Sequence, residues 1–422
     1  MLTRRVGTAA AAVLACRVLG AAANVGAVLV LSRALPAGEV GLILTALACA
    51  VLGELLVSLG REGLAIQLLP QAPPPVVARY LRGLQRLLST TLPLGAVGTG
   101  AVFWLVSGGG APLSIVVMTA LLPVFGSVIR VGSRLTHARG RIAESAGLFL
   151  LLRPALFALG VSVMAGSGTL TTERALGVML AGAALGAALQ VVRLRGLRRL
   201  AAVPQARTDP AWRRAGLSLL LTSLLLGDLV GLVTVVAALR LTEADVAMLG
   251  VALRFAVLLQ LGGGALIAAL GPSLSAAWGR GDRAGAVRIG RGIARVALPI
   301  VAIGAGAAAA LAPALLGVFG PAYEEGVGAL RVLVLMPLAT AAAGPSLLVL
   351  TAAGRATEGA KAALIAAPLV AGGVLIGAGA GVTGAALGVV LGHLVWEVTL
   401  ARRLRRATGA SLWLPFGPRG RV

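Results

Sequence analysis

Seven charged residues lie inside otherwise apolar stretches of this sequence, where a charge is unfavourable unless it is paired or hydrated. The stretch AAVLACRVLGAAANVGAVLVL at residues 11–31 places Arg17 among aliphatic neighbours. A charged side chain near the middle of a membrane helix costs about 2.5–3.5 kcal/mol on the insertion scale. Some interaction must compensate each of these charges, so all seven are candidates for a functional site. The other six are Glu54, Arg153, Asp228, Arg254, Arg331 and Glu397.

The position of each charge within its apolar stretch indicates its role. Arg331 and Glu397 lie near the ends of their stretches, where a long side chain can reach water, so we interpret both as structural. Arg17, Asp228 and Arg254 lie deeper. At about 1.5 Å of rise per helical residue, they are roughly 15, 20 and 18 Å from the cytoplasmic side. These three residues are therefore expected to share one layer in the middle of the membrane.

Acids are too few to neutralise the buried arginines. Asp228 can pair with Arg254, and Glu54 and Arg153 lie somewhat nearer the cytoplasmic side. Four buried arginines without partners would cost on the order of 10 kcal/mol, which is comparable to the whole stability of a domain. The sequence therefore predicts a positively charged cavity that binds an anionic ligand. The candidate binding residues are Arg17, Arg254, Arg153, Asp228 and Glu54.

The composition of the chain indicates the elements that must hold these residues. Of the 422 residues, 58% are hydrophobic and only 12% are charged, and the mean hydropathy is +0.98. A water-soluble core cannot absorb so much apolar surface, so we predict an all-α membrane protein. One span needs about 20 residues, which leaves room for about twelve. The apolar stretches fall at 7–31, 40–59, 89–107, 112–130, 145–165, 174–192, 215–238, 246–270, 294–316, 327–351, 361–379 and 383–401.

The basic residues predict the orientation of the spans. The net charge is +23, and the arginines collect in alternate connections, whereas the opposite connections hold only Arg33, Arg174 and Arg240. By the positive-inside rule this pattern places both termini in the cytoplasm, in a multi-pass protein of the cytoplasmic membrane. The positive charges lie between apolar runs and form no single patch, so we do not expect nucleic acid as a partner.

The two halves of the chain are related in pattern. LPAGEVGL at 35–42 and LTEADVAM at 241–248 occupy the same outer turn of each half, at an offset of 206 residues. A duplicated bundle of six plus six helices is typical of secondary transporters. We therefore predict two pseudo-symmetric lobes around a central cavity, at residues 1–200 and 201–422, the second ending in a short basic cytoplasmic tail.

Motifs for catalysis or cofactor binding are missing from the sequence. GAGVTG at 379–384 fits a dinucleotide-binding pattern in letters but lacks the preceding strand, and Cys16 and Cys49 lie in apolar runs without the spacing of metal ligands. We therefore expect no enzyme activity, catalytic residue, metal or cofactor. The spacing of Gly384, Gly388 and Gly392 predicts close helix packing. His393 is open to two interpretations, a proton relay or a hydrogen bond to a neighbouring helix.

Several stretches resemble a known family of transport proteins. LSRALPAGEVGLILTALACAVLGELLVSLGREGLAIQ resembles the first hairpin of polysaccharide repeat-unit flippases, and VALRFAVLLQLGGGALIAALGPSLSAAWGRGD is similar to their eighth helix. LLGVFGPAYEEGVGALRVL and GAGVTGAALGVVLGHL resemble the connection from their ninth to tenth helix and the start of the last helix. The resemblance implies the fold of the multidrug/oligosaccharidyl-lipid/polysaccharide exporter superfamily, with two six-helix lobes around an alternately opening cavity.

The resemblance also implies a function. Such flippases carry lipid-linked oligosaccharides across the membrane for cell-surface polysaccharide synthesis, and Arg17 and Arg254 match in position the arginines that meet the pyrophosphate. We expect a prenyl-pyrophosphate-linked glycan as cargo, with membrane lipids and polysaccharide-assembly proteins as further partners. Three alternatives stay open: a cation-coupled multidrug exporter of the same superfamily, a membrane-embedded glycan polymerase or glycosyltransferase, and a scaffold without transport activity.

Overall fold

The structure, a computed structural model, describes residues 2–195 and 209–412. These residues form helices joined by short turns and contain no β-strand, which confirms the predicted all-α class. The chain divides into two compact units, residues 1–239 and 240–422. The predicted lobe boundary at 200/201 and the last ten residues of the basic tail lie outside the described residues.

The first unit holds ten of the described α-helices. Between the sixth and the seventh, residues Gly147–Leu152 form a π-helix. Such segments are rare and occur often at functional sites. The helices are α1 (Leu2–Ala34), α2 (Ala37–Ser58), α3 (Arg61–Leu68), α4 (Pro74–Val106), α5 (Leu113–Ala138), α6 (Ile142–Ala146), α7 (Arg153–Gly166), α8 (Thr172–Arg193), α9 (Pro210–Leu226) and α10 (Leu229–Ala237).

The second unit begins with the longest described helix, whose N-terminus is closed by a capping box between Thr242 and Asp245. In the middle of the unit a 3₁₀-helix (Pro321–Gly326) precedes two short helices. The helices are α11 (Glu243–Gly279), α12 (Arg283–Ala310), α13 (Ala312–Gly317), α14 (Val327–Leu333), α15 (Leu335–Ala343), α16 (Ser346–Ala352), α17 (Ala356–Gly377) and α18 (Gly381–Thr408).

The number of membrane spans follows from the length and hydropathy of these helices. Ten stretches of the described chain are long and apolar enough to cross a membrane, and α9 with α10 form an eleventh that is bent by 68°. One of the ten, Ala356–Thr408, has 53 residues. As a single helix it would be about 80 Å long, far more than the ~30 Å hydrocarbon core. It consists of α17 and α18, which fold back on each other, so the described residues offer up to twelve candidate spans when the bent pair is counted as one.

Glycines allow α17 and α18 to pack at close range. A Cβ atom on Gly377 would lie 2.1 Å from the carbonyl oxygen of Gly384, and one on Gly373 would lie 2.8 Å from that of Gly388. A Cβ on Gly392 would lie 2.6 Å from the Cα of Val370. The prediction that the glycines at 384, 388 and 392 pack helices together is confirmed.

The seventh span packs within the first unit. Gly60, at φ 71°, turns the chain between α2 and α3, and a Cβ atom there would lie 2.1 Å from the carbonyl oxygen of Gly216 on α9. Near this contact Trp212 of α9 packs edge-on against Tyr80 of α4, with the ring centroids 5.6 Å apart. The contact-defined unit therefore includes α9 and α10 together with the six candidate spans before them.

Candidate functional site

Four charged residues of the first unit form a chain of ion pairs; Glu54, Arg130 and Asp228 are buried, and Arg153 is half-buried. Arg130 on α5 donates from Nη2 to Oδ1 of Asp228 at 2.9 Å and from Nη1 to Oδ2 at 3.2 Å. Its Nε lies 3.8 Å from a carboxylate oxygen of Glu54 on α2, and Arg153 at the start of α7 donates to the other oxygen of Glu54. The two acids and two arginines sum to zero charge, which is what a buried cluster requires.

A glycine makes room for this chain. A Cβ atom on Gly126, one helical turn before Arg130 on α5, would lie 1.9 Å from Oε1 of Glu54. Any larger residue at position 126 would therefore displace the carboxylate that links Arg130 to Arg153. Two nitrogens of Arg153, Nε and Nη2, are buried without a hydrogen-bond partner, so this arginine keeps donors for a further ligand.

A cavity of about 120 Å³ lies on the neighbouring face of α5, and its lining is positively charged. Arg17 projects into it from α1, and Arg134 and His137 from α5. No carboxylate lines this cavity. The nearest further acid, Glu62 on α3, attracts Arg134 through space but forms no ion pair with it. The remaining lining residues are Val13, Ser133, Ile142, Ser145, Ala146, Phe149 and Leu150.

Phe149 connects the cavity to the ion-pair chain. Its ring centroid lies 5.7 Å from Cζ of Arg130 and 5.9 Å from Cζ of Arg134, two residues one turn apart on α5. A guanidinium over a ring face is attracted by the ring's quadrupole, and Arg134 has no carboxylate within ion-pair distance. The aromatic ring therefore holds Arg134 in place while leaving its hydrogen-bond donors available to a ligand.

The π-helix and α1 together set the position of Arg17. Phe149 and Leu150 belong to the π-helix, and Pro154 just after it lacks the N–H group that regular helical bonding would use. A Cβ atom on Gly20 would lie 1.9 Å from the carbonyl oxygen of Leu150, so α1 touches the π-helix backbone at this point. Arg17, one turn earlier on α1, is thereby placed at the cavity.

The five predicted binding residues fall into three groups. Arg17 lines the cavity, while Glu54, Arg153 and Asp228 belong to the ion-pair chain. Arg254 lies on α11 in the second unit and donates to the carbonyl oxygen of Gly250 at 2.8 Å. The expected pair of Asp228 with Arg254 is wrong, because both carboxylate oxygens of Asp228 accept hydrogen bonds from Arg130. Direct contact of these five residues with cargo stays a prediction.

Two other sequence interpretations change with the structure. Glu397, expected to reach water from a helix end, is buried at 4% exposure, because α18 continues well past it to Thr408. Arg17, expected to be a buried arginine, has an exposed side chain on α1.

Sequence reasoning missed Arg130, Arg134 and His137. The apolar stretch predicted at 112–130 ends at Arg130, so the sequence places Arg130 and Arg134 in the basic connection that follows and assigns no role to His137. The helix instead continues to Ala138. A signal was present in the letters: Gly126, Arg130 and Arg134 recur at fourfold spacing, which places a small residue and two cations on one helical face.

Comparisons with known proteins find similar folds but no family model or curated protein that matches the sequence. The fold matches an inward-facing multidrug resistance MATE family transporter of the MOP superfamily, with a TM-score of 0.68 and 16% identity over 95% of this chain and 98% of that chain. An outward-facing structure of such a transporter matches with a TM-score of 0.61 and 15% identity over 95% and 96%.

A third match is a MOP superfamily transporter from Pyrococcus furiosus, with a TM-score of 0.61 and 17% identity over 95% of this chain and 96% of that chain. That protein is described as having a binding pocket of reverse polarity, which suggests a different function for it. The chain thus has the multi-pass helical fold of MOP superfamily transporters.

Proposed function

We propose that this protein is an alternating-access transporter that carries a prenyl-pyrophosphate-linked, anionic oligosaccharide across the cytoplasmic membrane. The observation that carries the proposal is the cavity lined by Arg17, Arg134 and His137, which contains no carboxylate. A cavity within the membrane spans that holds two guanidinium groups and no acid favours an anion, because an anion removes the unfavourable energy of the uncompensated charge.

The chemistry of these residues suits a phosphate ligand. Arginine stays charged when it is desolvated, and its planar fork binds phosphate oxygens through two parallel hydrogen bonds. Arg134, held by Phe149, and Arg17, held by the contact of Gly20 with the π-helix, are positioned before the ligand arrives. The site binds the charged part of the cargo. The apolar prenyl chain would stay in the hydrocarbon core of the bilayer, where it is not exposed to water.

Arg254 is proposed as a second phosphate contact. It is half-buried in α11, and no carboxylate among the described residues lies within ion-pair distance of it. Arg254 interacts electrostatically with Tyr323, and the hydroxyl of Tyr323 is buried without a hydrogen-bond partner. A cation without an acid and a hydroxyl without a partner are what a cargo headgroup would satisfy.

Export of cationic drugs is the second candidate function, because two of the similar structures are multidrug resistance transporters. A cationic substrate needs an available acid in the binding cavity. In this chain Glu54 and Asp228 are both held by arginines. The charge arrangement therefore favours an anionic cargo over a cationic one.

The proposal is tested by reconstituting the full chain into liposomes that contain a fluorescent farnesyl-pyrophosphate-linked disaccharide. Translocation is measured as the growing fraction of probe that a membrane-impermeant quencher reaches. We expect the protein to accelerate translocation, and Arg17→Ala or Arg134→Ala to slow it about 10- to 100-fold, since a hydrogen bond to a charged group contributes about 1.5–3 kcal/mol. Arg139→Ala is the matched control, because this exposed arginine ends α5 outside the cavity.

Two results would contradict the proposal. Translocation at the normal rate by both alanine variants would mean that the cavity arginines do not bind cargo. Efflux of a cationic dye that is lost in Glu54→Gln or Asp228→Asn, with no movement of the pyrophosphate probe, would support the drug exporter instead.

A further inference from the structure

A second buried polar cluster lies in the second unit, away from the arginines of the cavity. His393 and Glu397 are one helical turn apart on α18, at 5% and 4% exposure, and Nε2 of His393 lies 3.4 Å from Oε1 of Glu397. The hydroxyl of Thr340 on α15 lies 2.8 Å from each of these two atoms. All three residues are on apolar spans.

The hydrogen bonds of this cluster have one consistent direction. The Thr340 hydroxyl carries a single hydrogen, which it donates to Oε1 of Glu397. Nε2 of His393 must then be the donor to the hydroxyl oxygen, so in the neutral ring Nδ1 is the atom without a proton. Nδ1 of His393 is buried and has no hydrogen-bond partner. One basic nitrogen therefore points into the protein with nothing bound to it.

The charges around the cluster do not balance Glu397. Among the described residues no lysine or arginine lies within ion-pair distance of it. Three charged side chains on neighbouring helices have other partners. Glu358 on α17 pairs with Lys361 and Arg403, Arg331 on α14 donates to the carbonyl oxygen of Ala309, and Arg254 on α11 donates to that of Gly250. The helices α15 and α16 have no charged residue. The other charged residues on helices packed against those of the cluster are Glu243 and Asp245 on α11, Arg283, Arg288, Arg291 and Arg295 on α12, and Arg402, Arg405 and Arg406 on α18.

We infer that Thr340, His393 and Glu397 form a site that binds one proton within the second unit. With a neutral imidazole the cluster carries one uncompensated negative charge in an apolar span, which is unfavourable. One proton from water, taken up at Nδ1 of His393, gives an imidazolium beside the carboxylate and a net charge of zero.

The same geometry disfavours a metal cation at this site. Hard cations such as Mg²⁺ and Ca²⁺ take six or more oxygen ligands. The cluster offers one carboxylate, and the hydroxyl next to it already donates its hydrogen to that carboxylate. The remaining free atom is an imidazole nitrogen, which suits a proton.

The role of this proton rests on the proposed transport function. Proton uptake and release change the charge of the cluster between minus one and zero, and therefore bias any equilibrium in which one state exposes the cluster to water more than the other. A transporter of this fold could use such a bias to couple cargo movement to a proton gradient.

The test is a titration of the full chain, labelled with ¹³C-histidine, in lipid nanodiscs. The protein has only two histidines, so His137→Gln leaves the ring of His393 as the single signal. We expect the ring to gain one proton between about pH 8 and about pH 5. In Glu397→Gln, which keeps the size of the side chain but removes its charge, the proton affinity of the ring should fall at least tenfold. Glu358→Gln is the matched control, because Glu358 is already paired with Lys361 and Arg403.

Three results would overturn the inference, and the first needs no substitution within the cluster. The first is a His393 ring that stays neutral down to pH 5. The second is a proton affinity of the ring that Glu397→Gln leaves unchanged in a monodisperse sample. The third is a proton affinity that changes tenfold when sodium ions replace choline. The titration contains no glycan, so its outcome is independent of the translocation assay. If the titration succeeds, acceleration of translocation by an imposed pH gradient should be lost in His393→Asn.

Discussion

Arg130 donates to both carboxylate oxygens of Asp228 at the point where α9 and α10 meet at an angle of 68°. Asp228, at φ −122° and ψ 17°, lies outside helical geometry. A break in a membrane span is tolerated only where its polar groups are satisfied by the protein or by water. The bidentate pair with Arg130 meets that requirement and fixes the bend to α5.

Breaking this pair from one side should destabilise the protein strongly. Arg130→Met leaves Asp228 buried without a partner, which typically costs about 3–5 kcal/mol. The double variant Arg130→Met with Asp228→Leu removes both charges, so we expect it to be more stable than the sum of the two single changes predicts. The measurement is thermal unfolding of the purified protein in detergent, with Arg139→Met as control. Additive effects of the two single changes would contradict the coupling.

Gly126 should tolerate no side chain. In Gly126→Ala the new Cβ would lie 1.9 Å from Oε1 of Glu54, so the carboxylate must move away from Arg153. We expect a loss of about 1–3 kcal/mol, the usual range for overpacking a buried site. Gly177→Ala on α8 is the matched control, because nothing lies within 4 Å of its Cβ position. The control should be slightly more stable than the wild type, since alanine favours a helix interior over glycine.

The sequence could predict the fold because membrane helices are specified by long apolar stretches and by the charges between them. It could also identify Arg17 as a residue in need of a partner, and the close packing of Gly384, Gly388 and Gly392. These features depend on local composition and spacing alone.

The partners of the buried charges could not be predicted in the same way. Glu54 and Arg153 are 99 residues apart, and Arg130 and Asp228 are 98 residues apart, so only the packed bundle brings each pair together. Arg130 and Arg134 also resemble the basic residues of a cytoplasmic loop in sequence. Their burial depends on how far α5 extends and on which face meets the π-helix.

A small change on α1 should weaken binding at the cavity without touching any charged residue. In Gly20→Ala the Cβ would lie 1.9 Å from the carbonyl oxygen of Leu150, so α1 must move away from the π-helix and carry Arg17 with it. Gly26→Ala on the same helix is the control, since its Cβ would meet nothing within 4 Å. We expect the affinity for inorganic pyrophosphate, measured by calorimetry, to fall about tenfold in the first variant only. Equal affinities in both variants would mean that Arg17 does not bind the anion.

The charge pattern predicts which connections face the cytoplasm, and single cysteines test this. In a background of Cys16→Ser and Cys49→Ser, cysteines at Gly109 and Ser167 should react with an impermeant maleimide added outside intact cells. Cysteines at Gly140 and Gly354 should react only after lysis. All four positions are exposed turns between helices of the described chain. Labelling of Gly140 or Gly354 from outside would contradict the predicted orientation of the chain in the membrane.

Arg254 and Arg130 should respond in opposite ways to the same substitution. Arg130 has two acids as partners, whereas Arg254 has only the carbonyl oxygen of Gly250. A half-buried cation without an acid in an apolar span lowers stability, so replacing it with an apolar side chain of similar length removes an unfavourable term. We therefore expect Arg254→Met to raise the thermal unfolding temperature in detergent, while Arg130→Met lowers it.

The same Arg254→Met variant should translocate the farnesyl-pyrophosphate probe at least tenfold more slowly, because a phosphate contact is lost. Higher stability with lower transport is typical of a residue that serves function at the expense of the fold. If Arg254→Met instead destabilises the protein as much as Arg130→Met does, then Arg254 is a structural residue with a partner of its own, and its proposed role in binding cargo fails.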